Sequence, residues 1–75
     1  MKVYYDKKAD AVYLELSAEK PDGVVEITDG VNLDTTSDNR VVGIEILDAS
    51  KRIPLSSLLS YEFDVELLNT PLTSK

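Results

Sequence analysis

The chain has 75 residues with neither cysteine nor histidine, and its 14 acidic residues against 8 basic ones give a formal net charge of −6. This length suits one small domain, which has no disulfide and no cysteine–histidine zinc site to stabilise it. The missing imidazole and thiol exclude a Ser-His-Asp site and a cysteine nucleophile, and the negative charge argues against a nucleic-acid binder.

The first two predicted strands form a hairpin. Val3 and Tyr5 alternate with polar neighbours, as do the apolar residues that follow Ala11, and this period of two is typical of strands. Residues 7–10 form the connecting loop. With Asp6 opposite Ala11, like side chains meet on each face; the predicted pairs are Tyr5–Val12, Tyr4–Tyr13, Val3–Leu14 and Lys2–Glu15.

Three more strands, over residues 24–28, 31–36 and 41–47, complete a predicted antiparallel β-meander of about five strands. A two-residue Asp29-Gly30 turn would set Ile27 against Asn32 and mix the faces. A three-residue loop ending at Gly30, with positive φ there, sets Ile27 against Val31 and is preferred. The same register predicts the pair Val25–Leu33. A turn at Asp38-Asn39 then predicts the pairs Leu33–Ile44, Val31–Ile46 and Asp34–Gly43.

The C-terminal third predicts one short helix and a possible extra edge strand. Pro54 suits a first helical turn, and Leu55, Leu58 and Leu59 follow at helical spacing, which predicts a helix over residues 54–60. We expect it to pack on one sheet face, over Val12, Leu14, Ile44 and Ile46. Residues 61–67 alternate as an edge strand would. The fold class is therefore α+β, with a single domain over residues 1–68 and a frayed tail over residues 69–75.

The opposite sheet face would remain partly apolar, since one helix cannot cover both faces. A small domain without disulfide or zinc obtains only about 3–5 kcal/mol from its own core, and dimers are the commonest remedy. We therefore predict a homodimer, with a second copy packing on that face. The candidate interface residues are Tyr4, Tyr13, Val41, Leu47, Phe63 and Val65.

Carboxylates are the plentiful reactive groups. Five aspartates mark predicted turns, namely Asp6, Asp10, Asp29, Asp34 and Asp38. They could hold magnesium or calcium, or act as an acid/base pair, but turn aspartates ordinarily cap backbone N–H groups. The glycines stand singly, without a phosphate-binding pattern. No catalytic, cofactor-binding or metal-binding residue is predicted, and close packing opposite Asp34 explains Gly43.

Two stretches together resemble a known family. Residues 5–14, YDKKADAVYL, match the pattern Y-D-x-x-x-D-A-x-Y-[LI], and residues 42–50, VGIEILDAS, match V-G-[IF]-E-I-L-x-A-S. Both are similar to small prokaryotic proteins grouped as domain of unknown function 2283, and the likeness covers about residues 1–60. The sequence departs from the pattern at residues 38–40, where members more often carry glycine. The resemblance implies a β-rich domain without established activity, in members sometimes encoded beside toxin-like proteins.

The sequence thus predicts a non-catalytic protein–protein interaction module, a homodimer that is antitoxin-like towards a basic partner protein, rather than an enzyme. The alternative is a protein that binds a divalent cation or small ligand through turn carboxylates, and a carboxylate-only hydrolase comes third. The missing cysteine fits a reducing compartment. Since neither a signal peptide nor an apolar run of about 20 residues is present, we expect a cytoplasmic protein that binds no membrane.

Overall fold

The computed structural model describes residues 1–64 and 66. Five antiparallel strands form one sheet, followed by two short helical segments, so the α+β class is confirmed. Val65 and the predicted tail over residues 69–75 lie outside the described residues. The strands are β1 (Lys2–Asp6), β2 (Ala11–Glu15), β3 (Gly23–Thr28), β4 (Val31–Thr35) and β5 (Val41–Leu47).

The order of strands across the sheet is β1-β2-β5-β4-β3. β2 therefore pairs with β5, and the connection over residues 16–22 carries the chain to the far edge before β4 and β5 return. The pairing continues past the end of β2, where the backbone N–H groups of Leu16 and Ser17 both donate to the carbonyl of Val42. Residues 11–15 and residues 43–47, which are far apart in the sequence, therefore lie side by side in the interior of the sheet.

The predicted register of the first hairpin is confirmed at every position, from Lys2 opposite Glu15 to Asp6 opposite Ala11. The pairs Leu33–Ile44, Val31–Ile46 and Asp34–Gly43 are confirmed as well. Side-chain alternation fixes these registers because a shift of one residue would exchange the two faces.

The predicted loop between β3 and β4 is wrong in one respect. Thr28, rather than Ile27, lies opposite Val31, so Asp29 and Gly30 form a two-residue turn, with Gly30 at φ 82° as predicted. A register shift between Glu26 and Thr28 takes up the extra residue, as a β-bulge does. Val25 thereby still lies opposite Leu33.

The helical region also differs from the prediction. An α-helix, α1, spans Ala49–Arg52, and the predicted helix over residues 54–60 is a 3₁₀ helix over Leu55–Leu59. Ile53 separates them in an extended conformation, which is favoured for a residue before proline. Residues 61–64, part of the predicted edge strand, form no strand. No helix within the described residues is long and apolar enough to cross a membrane.

The pairing places two unlike faces on the sheet. One, the apolar face, carries only uncharged side chains, whereas the other, the acidic face, alternates tyrosines with carboxylates. The apolar face consists of the rows Val3–Leu14–Ile44–Leu33–Val25 and Tyr5–Val12–Ile46–Val31. The acidic face consists of the rows Tyr4–Tyr13–Glu45–Asn32–Glu26 and Lys2–Glu15–Gly43–Asp34–Val24, with Asp6, Ala11 and Leu47 at one end.

The predicted lid covers little of the apolar face. The 3₁₀ helix meets the sheet at β1, where Leu55, Leu58 and Leu59 line an open cleft with Val3 and Tyr5. Across the described residues, the buried apolar side chains are Val12, Val42 and Ala49. Towards β3 the face is open, and Val25 keeps 49% of its surface exposed.

Candidate interaction surface

The acidic face owes its character to an alternation that places carboxylates on every strand. Each strand contributes one carboxylate, namely Asp6 on β1, Glu15 on β2, Glu45 on β5, Asp34 on β4 and Glu26 on β3, and Lys2 is the one cation of the same rows. Carboxylates on neighbouring strands repel one another because they carry the same charge. They therefore produce a negative potential over this side of the sheet, which attracts basic groups.

Tyr13 is the centre of this face. Its ring lies across Gly43 on β5, and its hydroxyl donates to Oδ2 of Asp34 on β4 at 2.9 Å. A Cβ on residue 43 would come within 2.1 Å of the Tyr13 hydroxyl oxygen, so the glycine provides the space for the ring. Partial burial, together with the bond to Asp34, raises the pKa of Tyr13 to about 12. The ring thus spans three strands as a neutral hydrogen-bond donor.

Other side chains on the face are held in the same way. The Tyr4 hydroxyl donates to Glu15 at 3.1 Å, and the Asn32 amide donates to Glu45 at 3.2 Å. The ammonium group of Lys2 lies 5.7 Å from the centre of the Tyr4 ring, within reach of a cation–π interaction. Neutral donors therefore orient these two carboxylates while leaving their charge in place.

Three of the six predicted interface residues lie together on one face of the sheet. Tyr4, Tyr13 and Leu47 share the acidic face, while Val41 lies opposite Thr35 beyond a register shift. Phe63 packs edge-on against Tyr61, with ring centres 5.8 Å apart. Val65 lies outside the described residues. Tyr4, Val41, Leu47 and Phe63 are each more than a third exposed, so the prediction that they contact another chain stays open.

A second cluster joins the first turn to α1, and we name it the Asp10 clasp: Tyr5, Asp10, Ala49 and Ser50. The carboxylate of Asp10 accepts the Tyr5 hydroxyl at 2.8 Å, the Ser50 hydroxyl at 2.7 Å and the Ser50 N–H at 3.0 Å. The Asp10 carbonyl accepts the N–H of the fully buried Ala49. The Ser50 hydroxyl, followed by that of Tyr5, lowers the pKa of Asp10.

The remaining turn carboxylates mostly serve their own turns. Asp6 accepts the N–H groups of Lys8 and Ala9, and Asp38 accepts the hydroxyl of Thr36 and the guanidinium of Arg40. The hydrogen bond from Thr36 lowers the pKa of Asp38. These contacts fit the interpretation that turn aspartates cap local donors. Within residues 1–64 and 66, no group of three or more acidic side chains could hold a metal ion.

The two motif stretches therefore meet in space, through Asp10 with Ser50 and Tyr13 with Gly43. A family model described as a protein of unknown function (DUF2283) matches residues 2–50, which include both stretches. The chain belongs to this family. No curated protein and no solved structure matches the chain.

The motif positions of this DUF2283 chain are occupied by residues that determine its fold. Tyr5, Asp10 and Ser50 close the clasp, and Tyr13 needs Gly43. Sequence reasoning missed both contacts because it took β2 and β5 as distant strands. The aromatic in one motif and the glycine in the other were the available signal, since an aromatic ring packs well over a glycine of a neighbouring strand.

Turn geometry also accounts for the departure from the family pattern at residues 38–40. Asn39 adopts φ 68°, in the left-handed region that glycine favours and asparagine tolerates. Arg40 pairs there with Asp38 and with Glu19 of the neighbouring loop. The substitution thus suits a turn in which glycine is typical.

Proposed function

We propose that the chain is a non-catalytic protein–protein interaction module that works as a cytoplasmic homodimer and binds a basic protein partner, in an antitoxin-like role. The acidic face is the observation that carries the proposal. It extends over all five strands, and its carboxylates are arranged around two tyrosines. Tyrosine is enriched in the centres of protein interfaces because it buries much area with little loss of side-chain entropy.

Electrostatic complementarity supports a basic partner. The face carries carboxylates on all five strands, and the chain as a whole has a net charge of −6. A partner rich in lysine and arginine would associate faster with such a surface and would fit it better than a neutral partner would. The family resemblance to proteins encoded beside toxin-like partners supports the antitoxin-like role.

Hydrogen bonding supports the non-catalytic part of the proposal. The carboxylates of Asp10, Asp34 and Asp6 are engaged by protein donors that hold the fold, and cation ligands or general bases would need those oxygens. Binding of a divalent cation by turn carboxylates is the alternative function. Calorimetric titration with calcium and with magnesium tests it, and heat of binding with a rise in Tm would favour it.

The test compares two triple variants of equal charge. Glu15→Gln, Glu26→Gln and Glu45→Gln neutralise the acidic face while keeping acceptor oxygens, and Glu19→Gln, Glu62→Gln and Glu66→Gln remove the same charge elsewhere. Each protein, immobilised, is exposed to lysate of the native host, and bound proteins are quantified by mass spectrometry.

We expect the wild type and the control triple variant to retain the same basic protein, and the acidic-face variant to lose it. The proposal is wrong if the acidic-face variant retains that protein equally well. It is also wrong if the wild type enriches no basic protein over a mock-coupled resin.

A further inference from the structure

We infer that two copies of the chain associate through their apolar faces, each sheet covering the other, so that both acidic faces point outwards. This inference rests on the proposed homodimer and states which surface joins the copies. It moves the self-association surface away from Tyr4, Tyr13 and Leu47, three of the six interface residues that the sequence predicted.

The small core of the lone chain is the first argument. Among the described residues, the buried apolar side chains are Val12, Val42 and Ala49. A standard interface removes about 800 Å² from each partner. The two rows of the apolar face offer nine uncharged side chains for such an interface.

Side-chain exposure also points to the apolar face. Val25 and Val3, at opposite edges of one row, are 49% and 39% exposed, and Ile44 at its centre is only half-buried. A central strand flanked on both sides would bury such a side chain if another layer covered the face. The 3₁₀ helix covers the β1 end alone among the described elements, which leaves the β4 and β3 side open.

Charge decides between a second copy and another partner. Two identical copies carry the same net charge and repel each other, so contact is most favourable through surfaces that lack charge. The two rows of the apolar face contain no charged residue. Two acidic faces brought together would instead oppose carboxylate to carboxylate, and like charges in a buried interface strongly disfavour association. The acidic face therefore suits a basic protein, and the apolar face suits a copy of the chain.

The geometry allows such a pair. Two sheets packed face to face lie about 10 Å apart with strand directions within about 30° of each other. Val25, Leu33 and Ile44 of one copy would then interdigitate with the same residues of the other. Because a twofold interface uses the same patch on both subunits, one substitution on this face acts twice.

Two adjacent residues of β3 provide a matched test. Val25 lies on the apolar face and Val24 on the acidic face, and both are exposed valines in the same edge strand. The variants Val25→Asp and Val24→Asp therefore introduce the same charge and the same loss of strand preference on opposite sides. Val25→Thr, which keeps the branched shape, serves if Val25→Asp does not fold. Sedimentation equilibrium at several concentrations gives the dimer Kd, and circular dichroism reports folding.

We expect Val25→Asp to raise the dimer Kd at least about a hundredfold, because it buries two unpaired carboxylates, and Val24→Asp to change it little. Val25→Thr should weaken the dimer to a smaller extent. Dissociation by Val24→Asp alone would overturn the face assignment and leave the homodimer standing. A dimer that resists both aspartates would also overturn it, since the copies would then join at another surface such as a strand edge. A monomeric wild type at high micromolar concentration would contradict both the inference and the proposed homodimer.

Discussion

Gly43 shows at the scale of one residue how a missing side chain determines a contact. The Tyr13 ring occupies the space above residue 43 and reaches Asp34 beyond it. Glycine in a strand weakens it through chain entropy, and the aromatic ring compensates by covering the exposed backbone. The hydrogen bond then links β2 to β4 across β5.

We predict that Gly43→Ala destabilises the protein by about 1–3 kcal/mol. The new Cβ would lie 2.1 Å from the Tyr13 hydroxyl oxygen and 2.9 Å from the Leu14 carbonyl oxygen, so that the ring must move and the bond to Asp34 is lost. Gly23→Ala is the matched control, since its Cβ would meet only ordinary contact, 3.5 Å from Thr35. Urea unfolding at a fixed protein concentration measures both.

A double-mutant cycle assigns the cause of that loss. In a Tyr13→Ala background the Gly43→Ala change should cost less, because only the Leu14 carbonyl remains close. Equal costs in the two backgrounds would show that the tyrosine ring is not what requires glycine.

The hydroxyl of Tyr13 gives a pH dependence of stability. Its pKa is about 12 in the folded chain and about 10 when unfolded, so between these values the unfolded state releases a proton that the folded state keeps. The contribution of Tyr13 is therefore complete below pH 10 and is lost as the pH rises through 12. We expect unfolding free energy to fall more steeply above pH 10 in the wild type than in Tyr13→Phe. Parallel curves for the two proteins would contradict this account.

The Asp10 clasp acts at the scale of elements. It joins the β1–β2 turn to α1, a four-residue helix that is too short to be stable alone. Asp10 adopts φ 53°, an unfavourable region for a residue with a side chain, and the three hydrogen bonds to its carboxylate offset that cost. The position of α1, and with it the direction of the chain towards Pro54, depends on this contact.

We predict that Ser50→Ala raises the pKa of Asp10 towards its ordinary value. Ser50 provides the largest contribution to the lowered pKa, and a lowered folded pKa gives stability above the unfolded value that disappears as the pH falls through the folded one. The variant should therefore lose stability at neutral pH and less at acid pH. Carboxyl NMR titration follows Asp10 directly, with Ser60→Ala as an exposed control. An unchanged Asp10 midpoint in Ser50→Ala would refute the clasp.

Local pattern sufficed for the hairpin and failed for the contacts between distant elements. Alternation fixed Tyr4 opposite Tyr13 and Leu33 opposite Ile44, since a slip would invert the faces. It could not show that β2 lies beside β5, because many orders satisfy the same alternation. The bulge at Ile27 was not predicted, because an extra residue in a strand produces no distinctive pattern in the local sequence. α1 is too short to show a helical period, and the reach of the lid depends on where α1 directs the chain.

At the scale of the whole molecule, the sheet has an apolar face and, opposite it, an acidic face. The Asp10 clasp and the hydrogen bond from Tyr13 to Asp34 connect the elements of the fold. The exposed surface of the sheet is divided into an uncharged side and an acidic side. In the proposed homodimer, pairing through the uncharged side would add stability to a chain of this size without disulfide or zinc, and it would leave the acidic side free for the proposed partner.

Isotope-filtered NMR on a mixture of methyl-labelled and unlabelled copies tests this arrangement most directly. We predict intermolecular NOEs to the methyl groups of Val25, Leu33 and Ile44, and none to those of Val24 or Leu47. Intermolecular NOEs confined to Val24 and Leu47 would contradict the account, as would their complete absence at millimolar concentration.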